Sequence, residues 1–344
     1  MRAAFISILL SLAGALTAAS AAAFEYEDRA QFGEAEAARV IRIISTADID
    51  FFRPLIASYL AGAPEQAVDY VVVSSTELTR VIERGEAPFD VAISSAMDLQ
   101  MKLANDGYGR QHSSSATQSL PGWAAWNDTL FAFTQEPAAI VVSKAAFAPG
   151  EVPRTRQALI DLLRREPERF RERVGTYDVR QSGLGYLFAT QDTRASETFW
   201  RLAQVLGGLD VKLYCCSSDM IEAVRTGELL IAYNALGSYV ANRPDRAEFE
   251  IVLPADFTTM MLRTALIPAN APNPDLSAEF VDHLLEMSHG PQATPLVDPL
   301  LGLGGGAEAA LNRIQMGPGL LVFLDQLKRQ AFLKEWEAAI EQGP

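Results

Sequence analysis

The residues best placed by type and spacing to bind something are hydroxyls. Ser45-Thr46, Ser74-Ser75-Thr76, Ser94-Ser95, Ser182-Gly183 and Ser217-Ser218 each follow a short apolar run and precede a helical one. A hydroxyl in such a place caps a helix by accepting a bond from a free backbone N–H. Taken singly, each is explained by capping alone. Taken together, the five mark the carboxyl ends of strands, where open α/β sheets bind their ligands. Helix N-termini carry unpaired N–H donors and about half a positive charge each. Several facing one crevice make an anion site. Ser45, Thr46, Ser75, Thr76, Ser94 and Ser95 are expected to donate from the first half of the chain. Arg180, Ser182, Gly183 and Asn234 are expected to act from the second. Arg180 follows a strand and could pair a carboxylate or phosphate with two nitrogens; a surface arginine is the plainer alternative. Trp126 and Tyr233 are candidates for an aromatic wall, although aromatics more often serve a core.

Covalent chemistry is poorly supplied. His112, His283 and His289 show no metal-binding spacing. Gln181-Ser182-Gly183-Leu184-Gly185 lacks the leading glycine of a nucleophile elbow. Gly302-Leu303-Gly304-Gly305-Gly306 follows Asp298-Pro299 instead of a strand, which rules against a dinucleotide loop. No catalytic residue, metal ligand or cofactor is therefore expected. Cys215 and Cys216 are adjacent, with no zinc-type spacing. A bond between sequence neighbours closes a small, strained ring, so buried thiols are the expectation.

Elements that alternate in type must position these residues. Strands are predicted over Val40–Ile44, Val68–Val73 and Asp90–Ile93, with helices over Asp48–Leu60, Glu77–Arg84 and Ala96–Asn105. That βαβαβ order implies parallel pairing with right-handed crossovers. Phe131–Thr134 and Ala139–Val142 read as two strands flanking a crossing point at Glu136-Pro137. A helix is predicted over Arg156–Arg173. Strands at Gly175–Val179, Val211–Tyr214 and Leu229–Tyr233 then alternate with helices at Ser196–Leu206 and Met220–Arg225. A further helix is expected from Leu236. Glu250–Leu253 and Leu262–Ile267 read as strands, Asp275–Met287 and Leu320–Ile340 as helices, and Leu301–Gly306 as a flexible loop.

The N-terminus has the layout of a cleaved secretory leader. Arg2 is followed by an uncharged run from Ala3 to Leu16, and Ala21-Ala22-Ala23 offers a cleavage pattern. The apolar run is shorter than the ~20 residues a bilayer span requires. The remainder of the 344 residues is long enough for two domains. A net charge of -14 disfavours a nucleic-acid partner, which needs a basic face.

With these segments placed, the chain resembles the extracellular solute-binding proteins of ABC importers, in their ferric-iron-type branch. The resemblance rests on the order and spacing of Arg42–Thr46, Phe89–Ser95, Phe133–Val142, Arg180–Tyr186 and Gly227–Tyr233. It implies an α/β, two-lobed type II periplasmic-binding (Venus-flytrap) fold. Each lobe is then a mixed sheet flanked by helices, with two hinge strands crossing near Thr134–Pro137 and Asp256–Thr259. Residues 1–23 would be the leader, 36–135 and 258–344 the first lobe, and 136–257 the second. Iron-binding members hold the metal with two adjacent tyrosines; the matching stretch Gly237–Arg243 keeps only Tyr239. The hydroxyl-rich strand ends look more like branches that take phosphorylated or carboxylated solutes. The resemblance thus implies a periplasmic monomer that closes on a small anionic organic solute and is read by an inner-membrane permease and ATPase. A ferric-iron binder and an exported enzyme in the same cleft are the alternatives. The stretch Gly317–Arg329 resembles a tail found alongside two-component systems, which makes a sensor histidine kinase a third possible reader.

Overall fold

In the computed structural model, residues 24–34, 36–241, 243–290 and 310–342 are described. The expected leader at 1–23 and the glycine-rich loop at 301–306 lie outside the described residues. The apolar run around Ile41, Ile43 and Ile44 is buried on both faces and becomes the centre of a sheet. It forms β2 (Arg39–Ser45), which pairs in parallel with β3 (Gln66–Val72) and β4 (Val91–Ser94). Helices α1 (Ile49–Gly62) and α2 (Ser75–Arg84) make the crossovers, and α3 (Met97–Asn105) follows β4. An unexpected edge strand, β1 (Asp28–Gly33), pairs antiparallel with β3. Its polar sequence has no buried face, so it carried no hydrophobic signal.

The chain passes between two sheet regions along one long strand, β6 (Leu130–Ser143). The two strands expected on either side of Glu136-Pro137 are therefore continuous. Residues 130–137 pair antiparallel with β11 (Thr258–Leu266), and 138–142 with β9 (Ile231–Leu236). The end of β6 also takes β10 (Phe249–Val252), while the short β5 (Ala125–Trp126) flanks its start. Pro137 stands where the strand changes partners, a position that tolerates its missing N–H.

In the second region β7 (Val174–Tyr177) lies in parallel between β9 and β8 (Lys212–Tyr214). The helix expected over Arg156–Arg173 is two, α5 (Arg156–Arg165) and α6 (Pro167–Phe170), because Pro167 denies its predecessor the helical conformation. Next come α7 (Gly183–Ala195), α8 (Thr198–Gly207), α9 (Ser217–Thr226) and the single turn α10 (Ser238–Ala241). The helix expected from Leu236 is only that turn.

Among the described residues, three apolar clusters hold the fold together. One lies between the first sheet and α1 with α11 (Pro274–His289), around Phe52, Tyr70 and Phe280. A second lies outside the second sheet, around Phe170, Leu202 and Trp336. A third joins Leu78, Met97 and Met101 from the first region to Leu184, Leu187 and Phe188 from the second. Near its end the chain adds β12 (Leu311–Arg313) beside β11, then a 3-10 turn over Pro318–Leu324. The last helix, expected from Leu320, begins as α12 (Gln326–Ile340) because Asp325 caps it, accepting from the Lys328 N–H at 3.1 Å. Expected with the first lobe, α12 instead buries Phe332, Trp336 and Ile340 in the second region's core. The fit leaves no room for a side chain: a Cβ on Gly207 would lie 2.2 Å from the Ala339 carbonyl oxygen.

Candidate functional site

Strands of both regions end at one cleft. Thr46, Asp48, Ser74, Ser75 and Ser95 line it from the first region. Tyr177, Gln181, Ser182, Cys215, Cys216, Ser217, Ser218 and Tyr239 line it from the second, and Glu27 closes one edge. The hydroxyls sit there because each strand must turn into a helix. Ser74 caps α2, accepting from the Glu77 N–H at 3.1 Å. Ser182 caps α7, accepting from the Gly185 N–H at 3.1 Å. Cys216 is the first residue of α9's boundary and gives no side-chain cap. The N-termini of α2 and α7 meet across the cleft, since a Cβ on Gly183 would lie 2.7 Å from the Ser75 Cβ.

Among the described residues, no lysine or arginine lines this space. Burial pushes the Glu27 carboxyl up, and the charges of Asp48 and Asp219 add to the shift. Burial pushes Asp48 up as well, opposed by a bond from Ser218 and by the charge of Arg263. Arg263 lies behind the cleft, wholly buried. Its Nε and Nη2 donate to the two Glu136 carboxylate oxygens at 2.8 and 3.2 Å. Thr134 and Ser238 donate to the same carboxylate. Nη1 has no partner among the described residues. The Phe51 ring lies 4.9 Å beneath the guanidinium and stacks on Tyr239 at 5.1 Å, their planes 6° apart. That stack joins α1 to α10. Burial pushes the Tyr239 phenol up, with Arg263 opposing.

Of the residues expected to bind, Thr46, Ser75, Ser95 and Ser182 line the cleft together, with Gly183 against Ser75. The others are placed elsewhere. Ser45 is buried and accepts from the Ala47 N–H at 3.0 Å. Ser94 is buried and accepts from the Ala96 N–H at 3.1 Å. Thr76 faces solvent on α2. Trp126 packs half-buried against the core from β5. Arg180 is held by Asp178, from Nε and Nη2 at 2.8 Å each, and reaches Glu341 beyond α12. Tyr233 and Asn234 face away from the cleft, both donating to Asp192 at 2.9 Å. Arg156 donates from Nε to the Tyr233 hydroxyl at 2.8 Å. The reason is length: β9 runs on to Leu236, so its carboxyl end lies beyond Asn234.

The sequence reading missed Glu27, Asp48, Tyr177, Gln181 and Tyr239 as cleft residues. Asp48 had a signal, as the N-cap of α1 at a strand end. Glu27 had none, because only β1 brings it there. The expectation of thiols is also overturned: Cys215 and Cys216 are joined as a disulfide in the cleft wall. The histidines serve packing, as His112 bonds Asp282 at 2.7 Å and His289 meets the Ala132 carbonyl at 3.0 Å.

A model of the bacterial extracellular solute-binding protein family matches residues 41–289. No curated protein is similar enough to count as a relative. Among solved structures, the substrate-binding protein of an ABC transporter from Agrobacterium tumefaciens is 32% identical, with a TM-score of 0.83 over 91% of this chain and 98% of that one. The fructose-6-phosphate-bound periplasmic binding protein AfuA of Actinobacillus pleuropneumoniae gives 14% identity and a TM-score of 0.68 over 89% and 100%. Iron-bound HitA of Pseudomonas aeruginosa gives 14% and 0.64 over 88% and 99%. The last two likenesses are of fold: the two-lobed type II periplasmic-binding fold.

Proposed function

The chain belongs to the bacterial extracellular solute-binding protein family, and from that premise we propose that it captures a small, oxyanion-bearing organic solute in the periplasm for an ABC importer. One observation carries the reading: the N-termini of α2, α7 and α9, drawn from both lobes and flanked by hydroxyls, line a single cleft. A phosphate or carboxylate there would take backbone donors from both lobes at once. It would do so only while the lobes are closed, so binding favours the closed form. Glu27 and Asp48 favour a solute that also carries hydroxyl or ammonium donors, because a bare anion would meet two carboxylates.

The lobes then divide at Pro137–Ala138 in β6 and again between β10 and β11, with α12 returned to the second lobe. A permease with its ATPase would read the closed form; a sensor kinase would read the same surface. Capture is favoured over catalysis because the cleft hydroxyls are engaged. Ser74 and Ser182 cap helices, and Ser217 meets the Tyr177 hydroxyl and the Leu236 N–H. Ser218 donates to the Asp48 carboxylate, but among the described residues no histidine lines the cleft to serve as a nucleophile's base. Iron is the second reading of this fold, and Ser238 and Val240, on either side of Tyr239, leave the stretch without an adjacent pair of tyrosines.

A thermal-shift screen of refolded, ligand-free protein tests the reading. The panel holds phosphate esters, di- and tricarboxylates, inorganic anions, neutral sugars and ferric citrate. At roughly a hundred times Kd a true ligand adds about 2.7 kcal/mol. Stabilisation by one anionic organic class is the expected result. Stabilisation by neutral sugars alone, or by iron with the appearance of colour, overturns the anion reading.

A further inference from the structure

The vicinal disulfide has no part in the reading above. Cys215 is exposed, Cys216 half-buried, and both line the cleft. Asp219 stands one turn along α9, its Oδ2 3.6 Å from the Cys215 sulfur. The two sulfurs and an Asp219 oxygen all lie within 4.8 Å of one another. Three features suit these atoms to a soft cation. Adjacent thiolates present two sulfurs to one point, and thiolates select soft and borderline metals. Cys216 sits at the N-terminus of a ten-residue helix, where the dipole favours the thiolate. Exposed disulfides are the labile ones, open to thiol attack.

We propose that Cys215, Cys216 and Asp219 form a redox-gated site for one thiophilic divalent cation of the zinc or cadmium class. As the disulfide, the site is shut. A dithiol reductant opens it by exchange: the protein S–S bond breaks, one S–S bond forms in the reductant, and its two protons and two electrons leave two protein thiols. The cation then displaces both thiol protons and binds two thiolates and the carboxylate. Solvent or a cleft hydroxyl completes the shell. The site stands whatever solute the cleft takes.

Cadmium chloride is the probe. Thiol titration of the isolated full-length mature protein should find no free thiol, and two after treatment with dithiothreitol. The reduced, desalted protein should then bind one cadmium ion, read as thiolate-to-cadmium charge-transfer absorption. The oxidised protein should show no band. Cys216→Ser should lose it, and Asp219→Asn should keep it with weaker binding in competition with a chromophoric chelator. Circular dichroism of each variant separates loss of the site from loss of the fold. Two free thiols before reduction would overturn the gate. Equal cadmium binding by oxidised and reduced protein would assign the metal to carboxylates and overturn the site, as would reduced protein that binds none.

Discussion

Two residues from Arg180, Asp178 decides where that guanidinium goes. It engages Nε and Nη2 and leaves the other end to Glu341, with the Trp336 ring 5.5 Å below. Arg180 therefore fastens α12 and does not face the solute. Arg180→Ala should leave affinity for whichever anion the screen finds unchanged and cost about 1 kcal/mol of stability, the pair being partly exposed. Isothermal titration and urea unfolding read the two quantities separately. A local charge pair of this kind was open to the sequence, since both partners lie within one turn; what was hidden was Glu341, across the fold. Asp98 makes a different case. It is buried on α3, takes a bond from the Leu99 N–H at 2.9 Å, and its carboxyl is pushed up to about 7, burial being the main cause. The folded chain thus holds a proton that the unfolded chain releases. Its contribution is complete below about pH 4 and is lost as pH rises through about 7, a change of about 4 kcal/mol. Asp98→Asn should match the parent near pH 4 and be the more stable of the two at pH 8, as urea unfolding at both pH values would show.

At the scale of elements, periodicity located most strands and helices but not where they stop. The end of β9 and the start of α12 were misjudged by several residues, and at β9 those few residues decide that Tyr239, and not Asn234, lies at the cleft. β6 was read as two strands because Glu136-Pro137 looks like a break. In the fold that break is filled by a buried ion pair. Glu136 accepts from Arg263, Thr134 and Ser238, so its charge is matched at the point where the strand changes sheets. Glu136→Gln would leave Arg263 buried without its counter-charge. The expected cost is about 3–5 kcal/mol, seen as a lower urea midpoint with an unchanged slope. The partner of Glu136 was not legible in the sequence, because it lies on β11, at the far end of the second crossing.

For the whole molecule, the α/β rhythm and the return crossing gave the two-lobed fold, since strand-helix order constrains topology strongly. The cleft was half legible. Its hydroxyls advertise themselves as helix caps, whereas Glu27 and Tyr239 reach it only through the long-range geometry of an edge strand and a single helical turn. The Gly183 backbone lies against the Ser75 side chain, and the nearest neighbours of a Cβ on Gly183, from Ser75 and Leu99, belong to the opposite lobe. Gly183→Ala should therefore spare the folding of each lobe while holding them apart. Small-angle scattering should give a larger radius of gyration, with the ligand-induced contraction reduced or lost. The placement of α12 carries a consequence of another kind. The second lobe's core waits for Phe332, Trp336 and Ile340, which are synthesised long after β10, the lobe's last strand. At roughly 5–20 residues per second, the nascent second lobe spends several seconds complete in every strand yet missing one wall. During that interval the lobe is an open half-core, and the arrival of α12 closes it.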